Sequence, residues 1–381
     1  MSELGKLRVD VVGSLLRPQA LKEVRRRFDA GDADGDELQR VQEAYIREIV
    51  AMQEGVGLPV VTDGEFRRLN FQDSFGACVE GFRSESARIE TLEAQSRDGK
   101  PLQRWDVHRD VKAGVPLWHR LPVKERLTLA RNLPLDEYRF VSEVARVPAK
   151  VTLIGPDRIS QRFDHQNSRD VYPTMKEFLD DVVDIERKLV TSLVEAGCRY
   201  IQIDAPGYTA YVDEPSLAAM RKRGEDPMEN LDRSIEADNA VLTAYGPATS
   251  GIHLCRGNQR SMWHREGSYE AVAERLFTGL KHERLLLEYD TERAGGFEPL
   301  RFVPRDKVVV LGLVSTKVPE LETVDDLKRR IDEASKFLPL EQLAISPQCG
   351  FSSDVVGNLL TEDEQRRKLE LVVETARQVW G

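Results

Sequence analysis

The stretch "KVVVLGLVSTK" (307–317) decides the fold. From Val308 to Val314 it is apolar or glycine without a break. A strand with one wet face alternates apolar and polar side chains. A short run without alternation reads as a strand covered on both faces, as in a parallel sheet flanked by helices. The polar residues, Ser315, Thr316 and Lys317, come at its C-terminal end. Seven more runs share this form: "LRVDVVGS" (7–14), "LPVVTDGE" (58–65), "AKVTLIGP" (149–156), "RYIQIDAPG" (199–207), "ATSGIHLC" (248–255), "RLLLEYD" (284–290) and "LAISPQCG" (343–350).

Segments with helical spacing lie between them. "ELQRVQEAYIREIVAMQEGVG" puts Val41, Tyr45, Ile49 and Met52 on one stripe. "TMKEFLDDVVDIERKLVTSLVEAG" does the same with Phe178, Val182, Ile185, Leu189 and Leu193. Thr361 and Glu364 have the spacing of a capping box before the last helix. Strands alternating with amphipathic helices make βαβ units, and eight of them predict an α/β fold, a single (β/α)8 TIM barrel over residues 1–381. The charged stretch 78–148, with scattered Pro, Trp and His, breaks the rhythm. It reads as an insertion after the second strand, a lid or a contact between copies in a homo-oligomer.

Composition narrows the function. A net charge of -10 argues against nucleic-acid and anionic-membrane partners, which favour a basic face. No apolar run reaches the roughly 18 residues of a membrane span. The start "MSELGKLRVD" lacks a signal-peptide core, so the cytoplasm is expected. Four cysteines, at 78, 198, 255 and 349, do not form a disulfide framework in a chain this long. "DADGDE" (32–37) fails as a calcium loop, because Ala30 and Val41 would fill its first and last ligand positions. It reads as a turn and helix cap.

The polar strand ends carry the chemistry. Ser14, Glu65, Asp204, His253, Cys255, Glu288, Lys317 and Cys349 all fall at or just beyond the C-terminal ends of the runs. A barrel gathers those ends on one face, where its active site is built. Random burial of so many carboxylates and thiols would cost several kcal/mol per unpaired group. His253 and Cys255, two apart on a strand, point to the same side. With Glu288 and Cys349 they make a candidate tetrahedral set for Zn2+. Cys198 reads as packing, and Cys78 receives no role.

The motifs "VGSLLRP", "VTDGEFRR", "IQIDAP", "HLCRGN", "LLLEYD", "LGLVSTK" and "LAISPQCGF" together resemble the catalytic-domain family of cobalamin-independent methionine synthase, above all its short single-barrel bacterial relatives. The resemblance implies a (β/α)8 barrel and a zinc site at His253, Cys255, Glu288 and Cys349. It implies a homocysteine pocket in which Glu65 and Asp204 hold the amine and Ser14 the carboxylate. The expected activity is transfer of a methyl group to a small-molecule thiol, homocysteine giving methionine, from an unidentified alkyl donor.

The donor half departs from the family. Where the synthase has a tryptophan that stacks on the folate, this chain has no aromatic near Pro156. The family's Asp-Glu-Pro reads Asp204-Ala205-Pro206. Lys317 stands about where the family has a histidine that assists the leaving group, and is the candidate proton donor. These departures speak against methyl-folate. Three alternatives stay open: epoxide opening by a coenzyme M-like thiol, with Arg17, Arg67, Arg68 or Arg256 on its sulfonate; a zinc hydrolase; and a non-catalytic zinc-binding protein.

Overall fold

The computed structural model describes residues 2–82 and 122–381. An antiparallel hairpin, β1 (Val79–Phe82) and β2 (Val123–Leu129), stands apart from the main sheet. That sheet has six strands: β3 (Lys150–Ile154), β4 (Tyr200–Asp204), β5 (Thr249–Leu254), β6 (Arg284–Glu288), β7 (Val308–Val314) and β8 (Leu343–Pro347). They lie side by side in chain order, all parallel. Every residue in them is buried, as the unbroken apolar runs require.

The first two runs complete the barrel with fewer bonds. Val9 bridges Ile345 at one edge of the sheet and Val61 bridges Ala149 at the other. The two runs also meet each other: Leu15 N donates to Gly64 O at 3.1 Å, and the Thr62 hydroxyl to Gly13 O at 2.6 Å. Eight segments thus form a ring with helices outside, a (β/α)8 TIM barrel.

Alternation sorts each strand's side chains between the helices and the barrel interior. On β4, Ile201 and Ile203 join the main apolar core, while Tyr200, Gln202 and Asp204 form a polar column. Tyr200 Oη donates to Asp10 at 2.6 Å, and Gln202 Nε2 to Asp204 Oδ1 at 2.7 Å. Below them Asp10 pairs with Lys150 at 2.8 Å and Arg284 at 3.0 Å, all with fully buried side chains. Burial pushes Asp10 up, but Lys150 and then Arg284 outweigh it and hold it below the usual carboxylate range. These charges plug the end opposite the site.

Among the helices, Met175–Glu195 buries all five residues of its predicted stripe. The capping box of Thr361 and Glu364 opens Glu362–Trp380. Asp34 caps Gly35–Gly55 by accepting from Glu37 N, the turn and cap expected of "DADGDE". On that helix the fully buried face is Leu38, Gln42, Ile46, Val50 and Gln53, while Val41, Tyr45, Ile49 and Met52 are only partly buried beside it. The reason is Gln53. Its amide donates to Thr62 O at 2.8 Å and accepts from Thr62 N at 3.0 Å, standing in for a strand partner. An apolar count cannot see a glutamine that faces inward to satisfy a backbone.

Of the stretch 78–148, residues 83–121 lie outside the described residues, and with them most of the expected lid or contact between copies. Its last part is the helix Leu133–Val144, which packs against β3 and the helices Gly35–Gly55 and Met175–Glu195. The helical ring therefore resumes inside that stretch. Among the described residues no helix is long and apolar enough to cross a membrane.

Candidate active site

β5 ends in His253-Leu254, with Cys255 next, and Cys349 follows β8 by two residues. The Sγ atoms of Cys255 and Cys349 lie 3.4 Å apart, and both thiols are free. With a ring nitrogen of His253 they form a buried group whose ligand atoms all lie within 4.8 Å of one another. A tetrahedral zinc with Zn–S bonds of ~2.3 Å holds two sulfurs about 3.8 Å apart, close to this spacing. Neither ring nitrogen of His253 has a hydrogen-bond partner, though the residue is 3% exposed. Gly257 N donates to Cys255 Sγ at 3.2 Å, which favours sulfur carrying negative charge. The contact with Cys349, and then burial, push the Cys255 thiol well above its ordinary range. A cation between the sulfurs reverses that balance, so the donor set fits zinc.

Glu288, at the end of β6, does not join the three. Its carboxylate accepts from Arg256 N at 2.5 Å, pairs with Arg293 and lies 3.5 Å from Lys317 Nζ. Burial alone would raise its pKa, but Lys317, Arg293 and Arg256 together hold it well below the carboxylate range. Lys317 is buried against Glu288, and neither lines the cavity beside the thiols.

That cavity, of about 110 Å³, brings Ser14, Glu65, Asp204, His253, Cys255 and Cys349 together. Glu65 is placed by an unusual turn. Gly64 at φ 69° and Glu65 at φ 61° are both left-handed, and the Asp63 carboxylate accepts from Glu65 N at 2.9 Å. A non-glycine residue there costs roughly 1–2 kcal/mol, a strain of the kind found where a side chain must be aimed. Glu65 Oε1 accepts from the Thr152 hydroxyl at 2.8 Å, while Oε2 is buried without a partner. Burial raises Glu65 to about 7, with nearby Asp204 adding to the rise. Burial also raises Asp204. Two carboxyls that resist ionising in one cavity suit a cationic ligand. Ser14 packs so closely under Gly350 that a Cβ there would lie 2.0 Å from Ser14 Oγ, so a larger residue would have to push the Ser14 hydroxyl aside.

The four arginines read from the sequence as sulfonate partners are engaged elsewhere. Arg17 donates to the backbone carbonyls of Glu65, Arg68, Ser352 and Asp354, clamping two loops together. Arg68 pairs with Glu137, and Arg256 donates to Glu288 O and Gly267 O. Arg67 lies over the Phe140 ring. None of the four lines the cavity; Arg158 does, together with Asn70, Gln72 and His264. Sequence reading missed these four. Asn70 and Gln72 follow the Glu65 turn in "EFRRLNFQD", and Arg158 follows "IGPD", so position just past a strand end was the available signal.

Comparison with known proteins identifies the family. Two Bacillus subtilis proteins of undescribed function, YxjH and YxjG, are each 36% identical over 98% of this chain and 94% of their own length. A Saccharolobus solfataricus methionine synthase is 24% identical over 97% of this chain and 98% of its own. The structure of a Listeria monocytogenes protein, assigned as a vitamin-B12-independent methionine synthase, superposes with a TM-score of 0.74 at 26% identity, covering 98% of both chains. A B12-independent methionine synthase from Shewanella, solved with selenomethionine, shares the fold at a TM-score of 0.71 and 20% identity over 98% of this chain and 97% of its own. Residues 8–378 match the family described as the cobalamin-independent synthase, catalytic domain, and the chain belongs to that family.

Proposed function

We propose that this protein is a zinc-dependent methyltransferase that moves a methyl group from an as yet unnamed alkyl donor to the thiol of homocysteine, giving methionine. The observation that carries the reading is one cavity with two kinds of wall: the His253, Cys255 and Cys349 donor set, and the buried carboxyls of Glu65 and Asp204. An amino thiol matches both. His253, Cys255 and Cys349 would hold zinc, with Glu288 the fourth ligand once it leaves Arg293. Zinc, when bound, supplies the positive charge that lets a thiol lose its proton at neutral pH.

The remaining work falls to the chain itself. Glu65 and Asp204 take the substrate ammonium, and Ser14 lies where the α-carboxylate would sit. The buried walls keep water from the reacting sulfur. Lys317 is reserved for Glu288, whose charge it offsets at 3.5 Å, so protonation of a leaving group would require that pair to open.

Because Glu288 is shared between Arg293 and the proposed metal, the fourth position would be exchangeable, which disfavours a purely structural zinc site. The carboxyl pair favours an amino thiol over the water of a hydrolase. The four arginines read from the sequence are engaged elsewhere, which weakens the coenzyme M-like reading; Arg158, which lines the cavity, is the residue a sulfonate would have to use. The test is methionine formation from homocysteine by zinc-loaded protein, offered methyl-folate, methylcobalamin and small S- or O-methyl compounds in turn. One donor should give metal-dependent turnover; no methionine from any of them would count against the assignment.

A further inference from the structure

We propose that Glu137, on the outer helix Leu133–Val144, is a positioning residue that sets the cavity's preference for an amine: by holding Arg68 in a two-pronged ion pair, it leaves the Glu65 carboxylate for the substrate ammonium. The inference rests on the reading of Glu65 as the amine's partner.

Arg68 and Glu137 are both buried, with side chains 1% and 3% exposed. Arg68 Nε donates to Glu137 at 2.9 and 3.1 Å, and Nη2 at 2.6 Å. The rest of the guanidinium turns to β3: Nη2 donates to Thr152 O at 2.9 Å and Nη1 to Thr152 Oγ1 at 3.0 Å. Thr152 Oγ1 in turn donates to Glu65 Oε1 at 2.8 Å. The Arg68 guanidinium comes no nearer to the Glu65 carboxylate than 3.7 Å. It therefore reaches Glu65 through a hydroxyl, while its forked contact goes to Glu137.

This division matters because arginine keeps its charge at any relevant pH. Without Glu137, Arg68 would keep Glu65 and the more distant charge of Asp63, and closing the gap of about 1 Å to hydrogen-bond distance would pair it with Glu65 and neutralise it. An ammonium would then meet a carboxylate already paired. Burial raises both Glu65 and Glu137 to about 7, so above that pH Glu137 supplies the second negative charge and the trio Glu137–Arg68–Glu65 keeps one negative charge, on the side that faces the cavity. Nothing in the 78–148 stretch, read by composition, suggests that one of its glutamates reaches the site through the barrel wall.

The test measures, at about pH 8 where both carboxyls are ionised, dissociation constants of zinc-loaded protein for homocysteine and for 4-sulfanylbutanoate, which lacks only the amine. Both present the same thiol, so the metal's contribution cancels in their ratio. A charge-assisted bond to the amine gives the wild type a preference of at least about tenfold for homocysteine. Glu137→Gln should cut that preference below about threefold, with 4-sulfanylbutanoate affinity unchanged. The double variant Arg68→Gln, Glu137→Gln should regain it, since no cation remains to neutralise Glu65. A full preference in Glu137→Gln, or its absence in the double variant, would overturn the role of Glu137 alone. If the wild type has no preference for the amine, the assignment of Glu65 falls first and this inference with it.

Discussion

Cys349→Ala is expected to strip the protein of zinc and turnover while leaving the barrel folded. Cys349 lies 3.4 Å from Cys255 and supplies one of two clustered sulfurs. Structural zinc sites bind with roughly 10–16 kcal/mol in all, so removing one ligand of four costs about 3 kcal/mol, or a hundredfold or more in affinity. Metal content after dialysis should fall from about one zinc per chain to under a tenth. Methyl transfer should fall by three orders of magnitude or more, because the substrate thiol then has no cation to ionise it. The fold should persist because the ring is held by backbone bonds from β3 to β8, and Cys349 lies beyond the last strand. Circular dichroism and a melting curve check that half. His253→Ala should behave alike. A variant that kept both its zinc and its rate would contradict the ligand assignment.

Glu65→Gln should separate substrate binding from metal binding. The amide keeps the size of the side chain and loses its charge. Zinc content should not change, while kcat/KM for homocysteine drops about a hundredfold, because the substrate ammonium is then buried against a neutral amide instead of a carboxylate. The pH profile carries a second signature. Burial raises Glu65 to about 7, and the carboxylate is the form that binds a cation. As pH falls below about 7 the free enzyme takes up a proton there, so kcat/KM should fall about tenfold per unit. Glu65→Gln should lack that acid limb. Stability should move the other way. A carboxyl with a folded-state value above its unfolded one favours folding most at low pH and loses that advantage as pH rises through about 7. At pH 8 the uncharged variant should therefore melt higher, by the equivalent of about 1–3 kcal/mol. A variant with unchanged kcat/KM and an intact acid limb would remove Glu65 from the site.

The sequence made the ring of runs readable because strands covered on both faces cannot hide their continuity. It made the thiol and carboxyl cluster readable because a barrel leaves its polar residues at one end. What it concealed follows from the same physics. The first two runs make one bridge each to the sheet, since Thr62 and Gly64 bond to the loop end of the first run instead. The Asp10–Lys150–Arg284 plug lies at the starts of strands, where a charge in an apolar run looks like a boundary. Gln53 lies beside the apolar stripe of its helix and Glu137 lies in the charged stretch 78–148 read as an insertion, yet each is buried because it completes a hydrogen-bond or charge requirement of the barrel wall. Glu288 reads as a ligand by position, but the cations around it come from three separate places in the chain, Arg256, Arg293 and Lys317.

The most direct measurement is X-ray absorption at the zinc edge of loaded protein, before and after homocysteine, with proton release followed in parallel. The proposed site has two sulfurs at rest, from Cys255 and Cys349. Homocysteine should add a third and release about one proton per thiol bound. A zinc whose sulfur count stays at two, with no proton released, would contradict the claim that this site activates a thiol.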